Sequence, residues 1–212
     1  GQKVGLIGTN HVLIGDEALP AERTTPESYE LFRLLGAMRD AGCTWAVMEV
    51  SSHSLALDRV YGLHFAAAAF TNLTRDHLDF HGTMEAYAQA KSKLFTRCGA
   101  AVLNADDPWH TVMREAAQCP CQTYSARSDN ADLVAKNIRL LADHVEFEAV
   151  TTGHIGRVRL AIPGMFSVYN ALCAVGVGLA LGFDFQQVVA AMRGLHGVRG
   201  RIEVVPTDTD YT

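Results

Sequence analysis

Two apolar runs that each end abruptly in polar residues place the strongest constraint on how this 212-residue chain can fold. The runs cover residues 45–50 and 65–70, and they predict two buried parallel strands. The polar residues that end them are Glu49, Ser51, Ser52 and His53, and then Thr71, Asn72, Arg75, Asp76, His77, Asp79 and His81. In open α/β sheets the ligand binds at the carboxyl ends of the strands. Carboxylates, hydroxyls and histidines at that edge are typical of a metal–phosphate site.

The remaining sequence alternates between helical and extended patterns. Helices are predicted over 26–39, 53–60, 84–96, 108–117, 166–181 and 185–193, strands over 3–7 and 100–103, and a brief hairpin within 11–23. Thr25, Thr83 and Asp184 are the predicted N-caps of three of the helices. Between 133 and 160, three stretches of period-two alternation predict antiparallel strands. We therefore predict an α/β fold with a mainly parallel sheet flanked by helices, and a small three-stranded antiparallel extension at 131–162.

Charge and composition exclude several classes of function. The net charge is −5 and the basic residues are not clustered, so neither nucleic acid nor an anionic membrane surface is an expected partner. The apolar segment 171–181 is too short to span a membrane. The five cysteines are odd in number, and Cys119-Pro120-Cys121 has no second Cys/His pair at ligand spacing. We expect a cytoplasmic monomer without a disulfide framework.

Lys91 is unusual because helical spacing places it on an apolar face with Tyr87, Ala90, Leu94 and Phe95. One interpretation is that the stem of the lysine packs while the ammonium group reaches water. The other is a desolvated amine with a lowered pKa, which can react with CO2 to form a carbamate and so become an oxygen ligand for Mg²⁺. The sequence leaves both interpretations open.

His77 lies within the second polar group and has three possible roles. It is part of a polar surface loop, a hydrogen-bonded residue at a strand end, or a metal ligand. His77 and His81 have the spacing of one helix face, as in a zinc hydrolase. Gly82 and Thr83 interrupt that pattern at once, so we do not predict a helix there.

Glu49 ends an otherwise apolar run, where an unpaired carboxylate would be costly. Metal ligation or a buried ion pair with Arg59 or Arg75 would each satisfy it. The Thr24-Thr25-Pro26 segment begins a predicted helix, so it is either only a cap or a site for a substrate phosphate or carboxylate.

Two nucleotide-binding motifs are absent from the 212 residues. No G-x-x-x-x-G-K-[ST] segment occurs, and Gly8-Thr9-Asn10 is followed by His11 where such a P-loop would continue with glycine and lysine. No G-x-G-x-x-G segment follows a strand either, which argues against dinucleotide oxidoreduction.

Taken together, several segments resemble the Mur ligases, the ATP-dependent amide-forming enzymes of peptidoglycan precursor synthesis. The branch that the chain resembles most adds the third residue of the stem peptide. The segments, in family order, are Thr24-Thr25-Pro26, Met48-Glu49-Val50-Ser51-Ser52-His53, Thr71-Asn72-Leu73-Thr74-Arg75-Asp76-His77-Leu78-Asp79, Ala90-Lys91, Asn104-Ala105-Asp106-Asp107, Val168-Tyr169-Asn170-Ala171 and Gly200-Arg201.

The resemblance implies roles for residues at the matching positions. Glu49 would hold the Mg²⁺ that bridges the ATP phosphates, and His77 and a carbamylated Lys91 would hold or orient a second Mg²⁺ near the acceptor carboxylate. These three would be the catalytic residues. The UDP-N-acetylmuramoyl-dipeptide substrate would contact Thr24, Thr25, Ser51 and Arg59. ATP would contact Asn170, Arg201 and Ser167, although relatives often carry asparagine at the last position. A substrate carboxylate would take the γ-phosphoryl group, and the amine of an amino acid would then displace phosphate.

The resemblance also implies that residues 1–212 are the central ATPase domain of a longer enzyme. The UDP-binding domain, the P-loop and the C-terminal domain that selects the amino acid would lie outside them, so we expect the chain alone to be inactive. Three alternatives remain open. They are a folylpolyglutamate synthetase-like ligase, a metal-dependent hydrolase built on Asp76, His77, Asp79 and His81, and a domain that only binds nucleotide or a partner. If Arg59 does not contact substrate, the simplest expectation is a surface salt bridge with Asp58 or Glu49.

Overall fold

The computed structural model describes residues 2–195 and 197, which form two compact units. The first unit contains the described residues up to His64 together with Arg75–Arg97. The second contains Phe65–Thr74 and the described residues from Cys98 onward. Each unit is built around its own β-sheet.

The first unit has a four-stranded sheet with the strand order β3-β2-β1-β4. The strands are β1 (Val4–Ile7), β2 (His11–Ile14), β3 (Glu17–Pro20) and β4 (Trp45–Met48), and the helices are α1 (Ser28–Asp40), α2 (Ser52–Ala56), α3 (Leu78–His81) and α4 (Met84–Ser92). Strand β1 pairs antiparallel with β2 and parallel with β4. The predicted hairpin is therefore confirmed as β2–β3.

Helix α1 buries Leu31, Leu34 and Met38, which recur at helical spacing on its apolar face. The absence of a side chain at Gly5 on β1 makes room for this helix, since a Cβ there would lie 2.3 Å from the Met38 sulfur. The predicted helix is confirmed, but the prediction that Thr25 caps it is wrong. Glu27 occupies the N-cap position, and Thr25 is buried and bonded elsewhere.

The predicted strands at 45–50 and 65–70 both form, but they are not neighbours. Strand β4 lies in the first sheet, and β5 (Ala68–Phe70) lies in the second. Strand β4 is also not buried, because Val47 is 56% exposed. Strand β4 is an edge strand of its sheet, and a short apolar run does not distinguish an edge strand from a central one.

The second unit has a six-stranded sheet with the order β10-β9-β8-β7-β6-β5. The further strands are β6 (Ala101–Asn104), β7 (Cys121–Ser125), β8 (Leu133–Leu140), β9 (Val145–Thr151) and β10 (His154–Leu160), and the helices are α5 (His110–Ala116), α6 (Met165–Ala180) and α7 (Phe185–Ala191). Strands β5 to β8 pair in parallel, and β8 to β10 pair antiparallel. The predicted parallel sheet and antiparallel extension are both confirmed, and the extension continues the same sheet.

The core of the second unit lies between its sheet and helices α6 and α7, where Phe147, Leu172 and Phe185 are buried together. Within the described part of the chain, none of the helices is both long and apolar enough to cross a membrane.

Candidate functional site

The first polar group lies at the carboxyl ends of β1 and β4. Because these strands are parallel neighbours, the residues that follow Ile7 and Met48 meet at one edge of the sheet. The Thr9 hydroxyl donates a 2.6 Å hydrogen bond to Glu49 Oε2 and lies 3.0 Å from the Thr24 hydroxyl. Thr9 was not predicted as a site residue, since the sequence pattern there indicated only the lack of a P-loop.

Thr25 ties its own segment to the end of β4. Its buried hydroxyl donates to the Glu49 carbonyl (2.9 Å) and accepts from the Ser51 amide (3.0 Å). Ser51 caps α2, because its hydroxyl accepts from the Ser54 amide at 3.2 Å. The structure therefore brings together the four residues predicted to bind the muramoyl substrate, since Thr24, Thr25 and Ser51 meet here and Arg59 contacts the Thr25 carbonyl.

The Glu49 side chain is exposed, which corrects the expectation of a buried carboxylate. Among the residues that the structure describes, no arginine forms an ion pair with it, so the pairing predicted with Arg59 or Arg75 is wrong. A Cβ on Gly8 would lie 3.1 Å from Glu49 Oε1. Glycine at position 8 thus leaves that carboxylate oxygen unobstructed.

The Arg59 side chain is only 13% exposed and pairs with Glu27 at 2.7 Å, not with Asp58 or Glu49. One of its terminal nitrogens also donates to the Thr25 carbonyl at 3.3 Å. The Arg59 Nε is buried without a hydrogen-bond partner in the described structure. The guanidinium is therefore held beside the Thr24–Thr25 segment.

Five rings form a contiguous cluster in the same unit, here called the ring cluster: His53, His77, Phe80, His81 and Tyr87. The rings of His81 and Tyr87 stack with centroids 4.9 Å apart, and His77 approaches the Tyr87 ring edge-on at 5.9 Å. The His81 Nε2 lies 2.9 Å from the Ser52 hydroxyl. The segment predicted to be irregular is the short helix α3, with His77 at its N-cap in the left-handed conformation (φ 54°).

Lys91 joins this cluster, with its Nζ 5.5 Å from the centre of the Tyr87 ring. Burial lowers the pKa of Lys91, as the carbamate hypothesis requires. Burial also lowers the pKa of His81, and the neighbouring His53, His77 and Lys91 lower it further. Within the described residues no carboxylate forms an ion pair with Lys91, so no acidic partner favours its charged form.

The hydrolase alternative receives no support from the structure. Among the described residues, no three His, Cys, Asp or Glu side chains lie close enough to hold a metal ion. In the described structure, Asp76, His77, Asp79 and His81 therefore do not form a preformed metal centre. The predicted set of Glu49, His77 and Lys91 differs, because its lysine becomes a ligand only after reaction with CO2.

The second unit contains a polar pocket of about 240 Å³ at the carboxyl ends of its parallel strands. Its lining residues are Thr71, Asn72, Asn104, Asp106, Asp107, Pro108, Arg127, Phe166, Tyr169 and Asn170. Asn170, one of the predicted nucleotide contacts, lines this pocket. Ser167 does not line the pocket, since it is buried and its hydroxyl donates to the Pro163 carbonyl at 3.2 Å. Arg201 lies outside the described residues.

The segment Asn104-Ala105-Asp106-Asp107 holds this pocket together through side-chain bonds. The Asn104 amide donates to the Thr71 carbonyl at 2.7 Å, and Asp107 accepts from the Leu73 amide at 2.8 Å. Asp106 accepts from the hydroxyls of Ser125 (2.6 Å) and Tyr169 (2.9 Å) and from the Ala126 amide (2.8 Å). The turn after β6 therefore connects the ends of β5 and β7 to helix α6.

Comparison with known families agrees with this geometry. The family described as "Mur ligase middle domain" matches residues 1–178, which is most of the chain. The chain belongs to this family. Its membership confirms the predicted resemblance and the α/β architecture.

Two similar relatives of this Mur ligase middle domain share one name. The chain is 44% identical over 226 residues to the UDP-N-acetylmuramoyl-L-alanyl-D-glutamate--2,6-diaminopimelate ligase of Bacillus velezensis, covering 100% of the chain and 46% of that relative. The enzyme of the same name from Caldanaerobacter subterraneus is 44% identical over 210 residues, covering 99% and 43%. The chain thus spans less than half the length of these relatives.

Solved structures agree with the sequence comparison. A structure of UDP-N-acetylmuramoyl-L-alanyl-D-glutamate--2,6-diaminopimelate ligase matches 98% of the chain and 43% of its own length, with a TM-score of 0.84 and 31% identity. MurF from Acinetobacter baumannii matches 84% of the chain and 40% of its own length, with a TM-score of 0.72 and 23% identity, which indicates a shared fold.

Proposed function

We propose that the protein containing this chain is an ATP-dependent ligase that adds the third amino acid to UDP-N-acetylmuramoyl-L-Ala-D-Glu in the cytoplasm. The observation that carries the proposal is Lys91, a half-buried amine with a lowered pKa beside the ring of Tyr87, which also contacts His77. The names of the relatives support the substrate, and they make 2,6-diaminopimelate the first amine to test.

The donor groups suit Mg²⁺. Glu49 offers an accessible carboxylate oxygen and His77 an exposed imidazole. Neutral Lys91 would react with CO2, forming an N–C bond and releasing a proton, and the resulting carbamate would be an oxygen ligand for a second Mg²⁺ together with His77. When bound, Mg²⁺ would offset negative charge on the phosphates and the substrate carboxylate.

The chain's own residues would position the reactants. Thr24, Thr25 and Ser51 would hold the muramoyl-dipeptide, with Arg59 pairing with a substrate carboxylate by a two-pronged contact. The pocket that Asn170 lines would hold the nucleotide. Ser167 and Arg201 are the further proposed nucleotide contacts. Charge positioned in this way, without a covalent protein nucleophile, suits phosphoryl transfer to a carboxylate and attack by an amine on the acyl phosphate.

The test uses the full-length protein that contains this chain. Release of ADP and phosphate should require both UDP-N-acetylmuramoyl-L-Ala-D-Glu and an amino acid. Lys91→Ala should lower that rate by about 100-fold or more, and added short carboxylates should restore part of it. Lys93→Ala is the matched control, because Lys93 lies two residues away and is exposed. Near-parent turnover in Lys91→Ala, or ATP hydrolysis that ignores the muramoyl substrate, would contradict the proposal.

A further inference from the structure

Three cysteines of the second unit lie together and have no role in the proposed ligase reaction. Cys98 precedes β6, and Cys119 and Cys121 flank Pro120 at the start of β7. The sulfur atoms of Cys98 and Cys119 are 3.5 Å apart. The thiol of Cys121 instead donates to the Cys119 carbonyl at 3.5 Å. Cys98 and Cys119 are therefore the thiol pair in direct contact.

Backbone hydrogen bonds hold the two segments side by side. Strands β6 and β7 pair in parallel with Ala101 opposite Cys121. The Ala101 amide donates to the Pro120 carbonyl at 2.9 Å, which joins the two segments directly. The Gly99 amide, next to Cys98, donates to the Phe65 carbonyl at 2.9 Å and so fixes the Cys98 segment on its other side. The Cys98–Cys119 contact is thus fixed by the sheet.

We propose that Cys98 and Cys119 are a modification site, which hydroperoxides convert into a reversible disulfide. A disulfide requires a sulfur–sulfur distance of about 2.05 Å, so the 3.5 Å contact closes by small movements of the two side chains. The product would cross-link the amino-terminal edge of β6 to that of β7, around the segment that contains α5.

The chemistry proceeds in two balanced steps with hydrogen peroxide as oxidant. The Cys119 thiol loses its proton to solvent, and the thiolate attacks one peroxide oxygen, so that an S–O bond forms and the O–O bond breaks. The hydroxide that leaves takes up a proton from solvent and becomes water. The Cys98 sulfur then attacks the sulfenic sulfur, the S–S bond forms, and the S–O oxygen leaves as water with the proton from Cys98. Two thiols are oxidised, and one peroxide is reduced to two waters.

The environments of the two thiols decide the order of attack. Cys119 is partly exposed, so peroxide can reach it. Cys98 is buried, and its pKa is raised by that burial and by its hydrogen bond to Cys119. A thiol that resists ionisation is a poor first nucleophile. Cys119 therefore reacts first and Cys98 resolves the sulfenic acid.

The experiment treats the 212-residue chain with hydrogen peroxide, blocks the remaining thiols and maps tryptic peptides by mass spectrometry without reduction. Cleavage after Arg97, Arg114 and Arg127 places Cys98 in one peptide and both Cys119 and Cys121 in the next. The expected product is a cross-link of these peptides with the loss of two hydrogen atoms, which dithiothreitol reverses.

Variants assign the partners. Cys121→Ser should keep the cross-link. That result identifies Cys119 as the partner, because Cys119 is then the sole cysteine of its peptide. Cys119→Ser should abolish it, and Cys43→Ser, in the other unit, is the matched control that should not change it. Both informative substitutions replace partly exposed cysteines, so the test does not depend on altering the buried Cys98. A Cys119–Cys121 disulfide, over-oxidised Cys119 without a cross-link, or no cross-link in Cys121→Ser would each overturn the proposal.

Discussion

Lys91 lies where an ammonium charge is unfavourable, and the same position favours the neutral, reactive amine. Its surroundings lower its pKa by burial, and its nearest ring, Tyr87, is itself buried. Because burial disfavours the ammonium form of Lys91, that charge lowers the stability of the folded state. The same surroundings increase the fraction of neutral amine that can react with CO2.

Replacing Lys91 with methionine should therefore stabilise the fold at neutral pH. The folded-state pKa lies below the unfolded value of 10.5, so the unfolded chain binds the proton more strongly. This difference lowers the free energy of unfolding by its full amount at pH values below the folded-state pKa. The effect disappears as the pH rises through 10.5. Lys91→Met should raise the free energy of unfolding at pH 7 by on the order of 1 kcal/mol, and the gain should shrink near pH 11. Urea denaturation at both pH values, with Lys93→Met as control, measures this, and a less stable Lys91→Met at pH 7 would count against it.

Arg59 makes its own prediction, because its guanidinium pairs with Glu27 and with the Thr25 carbonyl at once. Lysine cannot make both contacts with the same geometry. In the full-length protein, Arg59→Lys should raise the Michaelis constant for the muramoyl-dipeptide by about 10-fold and leave that for ATP near the parent value. Arg97→Lys, which alters another partly buried arginine of the same unit, is the control. Unchanged constants for both substrates would remove Arg59 from the site.

At the scale of single elements, local signals predicted most of the fold. Thr83 and Asp184 cap α4 and α7 as expected, accepting hydrogen bonds at 3.1 and 2.9 Å. The prediction failed where tertiary contacts override local preference. Thr25 has the side chain of a cap, but its hydroxyl is engaged by the end of β4. Strand β7 was missed because Cys121–Ser125 has neither an apolar run nor a clear alternation.

The sequence likewise predicted some residues of the candidate site and missed others. Glu49 and Lys91 stand out because charged residues occur where apolar ones are expected, and His77 stands out because it lies in a polar group that follows a strand. Thr9 and Tyr87 carry no such signal. Their roles arise from contacts with residues distant in sequence, the Glu49 carboxylate for Thr9 and the ring cluster for Tyr87. The chain's own sequence does not contain those pairings.

The turn after β6 should be sensitive to the loss of a single charge. Asp106 accepts three hydrogen bonds from two other elements and their loops, and an asparagine replaces one accepting oxygen with a donor. Asp106→Asn should lower the free energy of unfolding by about 1–3 kcal/mol. Asp129→Asn, which alters an exposed aspartate paired with Lys136 on the surface, should change it by less than about 0.5 kcal/mol. Equal effects of the two substitutions in urea denaturation would show that the turn contributes no special stability.

At the scale of the whole molecule, the predicted site residues divide between the two units. Glu49, His77, Lys91 and the two threonines proposed to bind the muramoyl substrate belong to the first unit, and the polar pocket with Asn170 belongs to the second. Neither unit contains a P-loop, since the motif is absent from all 212 residues. The backbone cradle that usually grips nucleotide phosphates is therefore not part of this chain.

This division predicts how the chain binds nucleotides on its own. Without a phosphate cradle, ATP should bind weakly and should not be hydrolysed, and most of the affinity should come from the base and ribose in the polar pocket. Calorimetry with Mg-ATP and with adenosine should then give dissociation constants within about 10-fold of each other, both well above 1 µM. Asn170→Ala should weaken both ligands alike, whereas Asn137→Ala, on the strand β8 of the same unit, should weaken neither. A sub-micromolar dissociation constant for ATP, with a much higher one for adenosine, would mean that this chain binds phosphates through residues other than a P-loop.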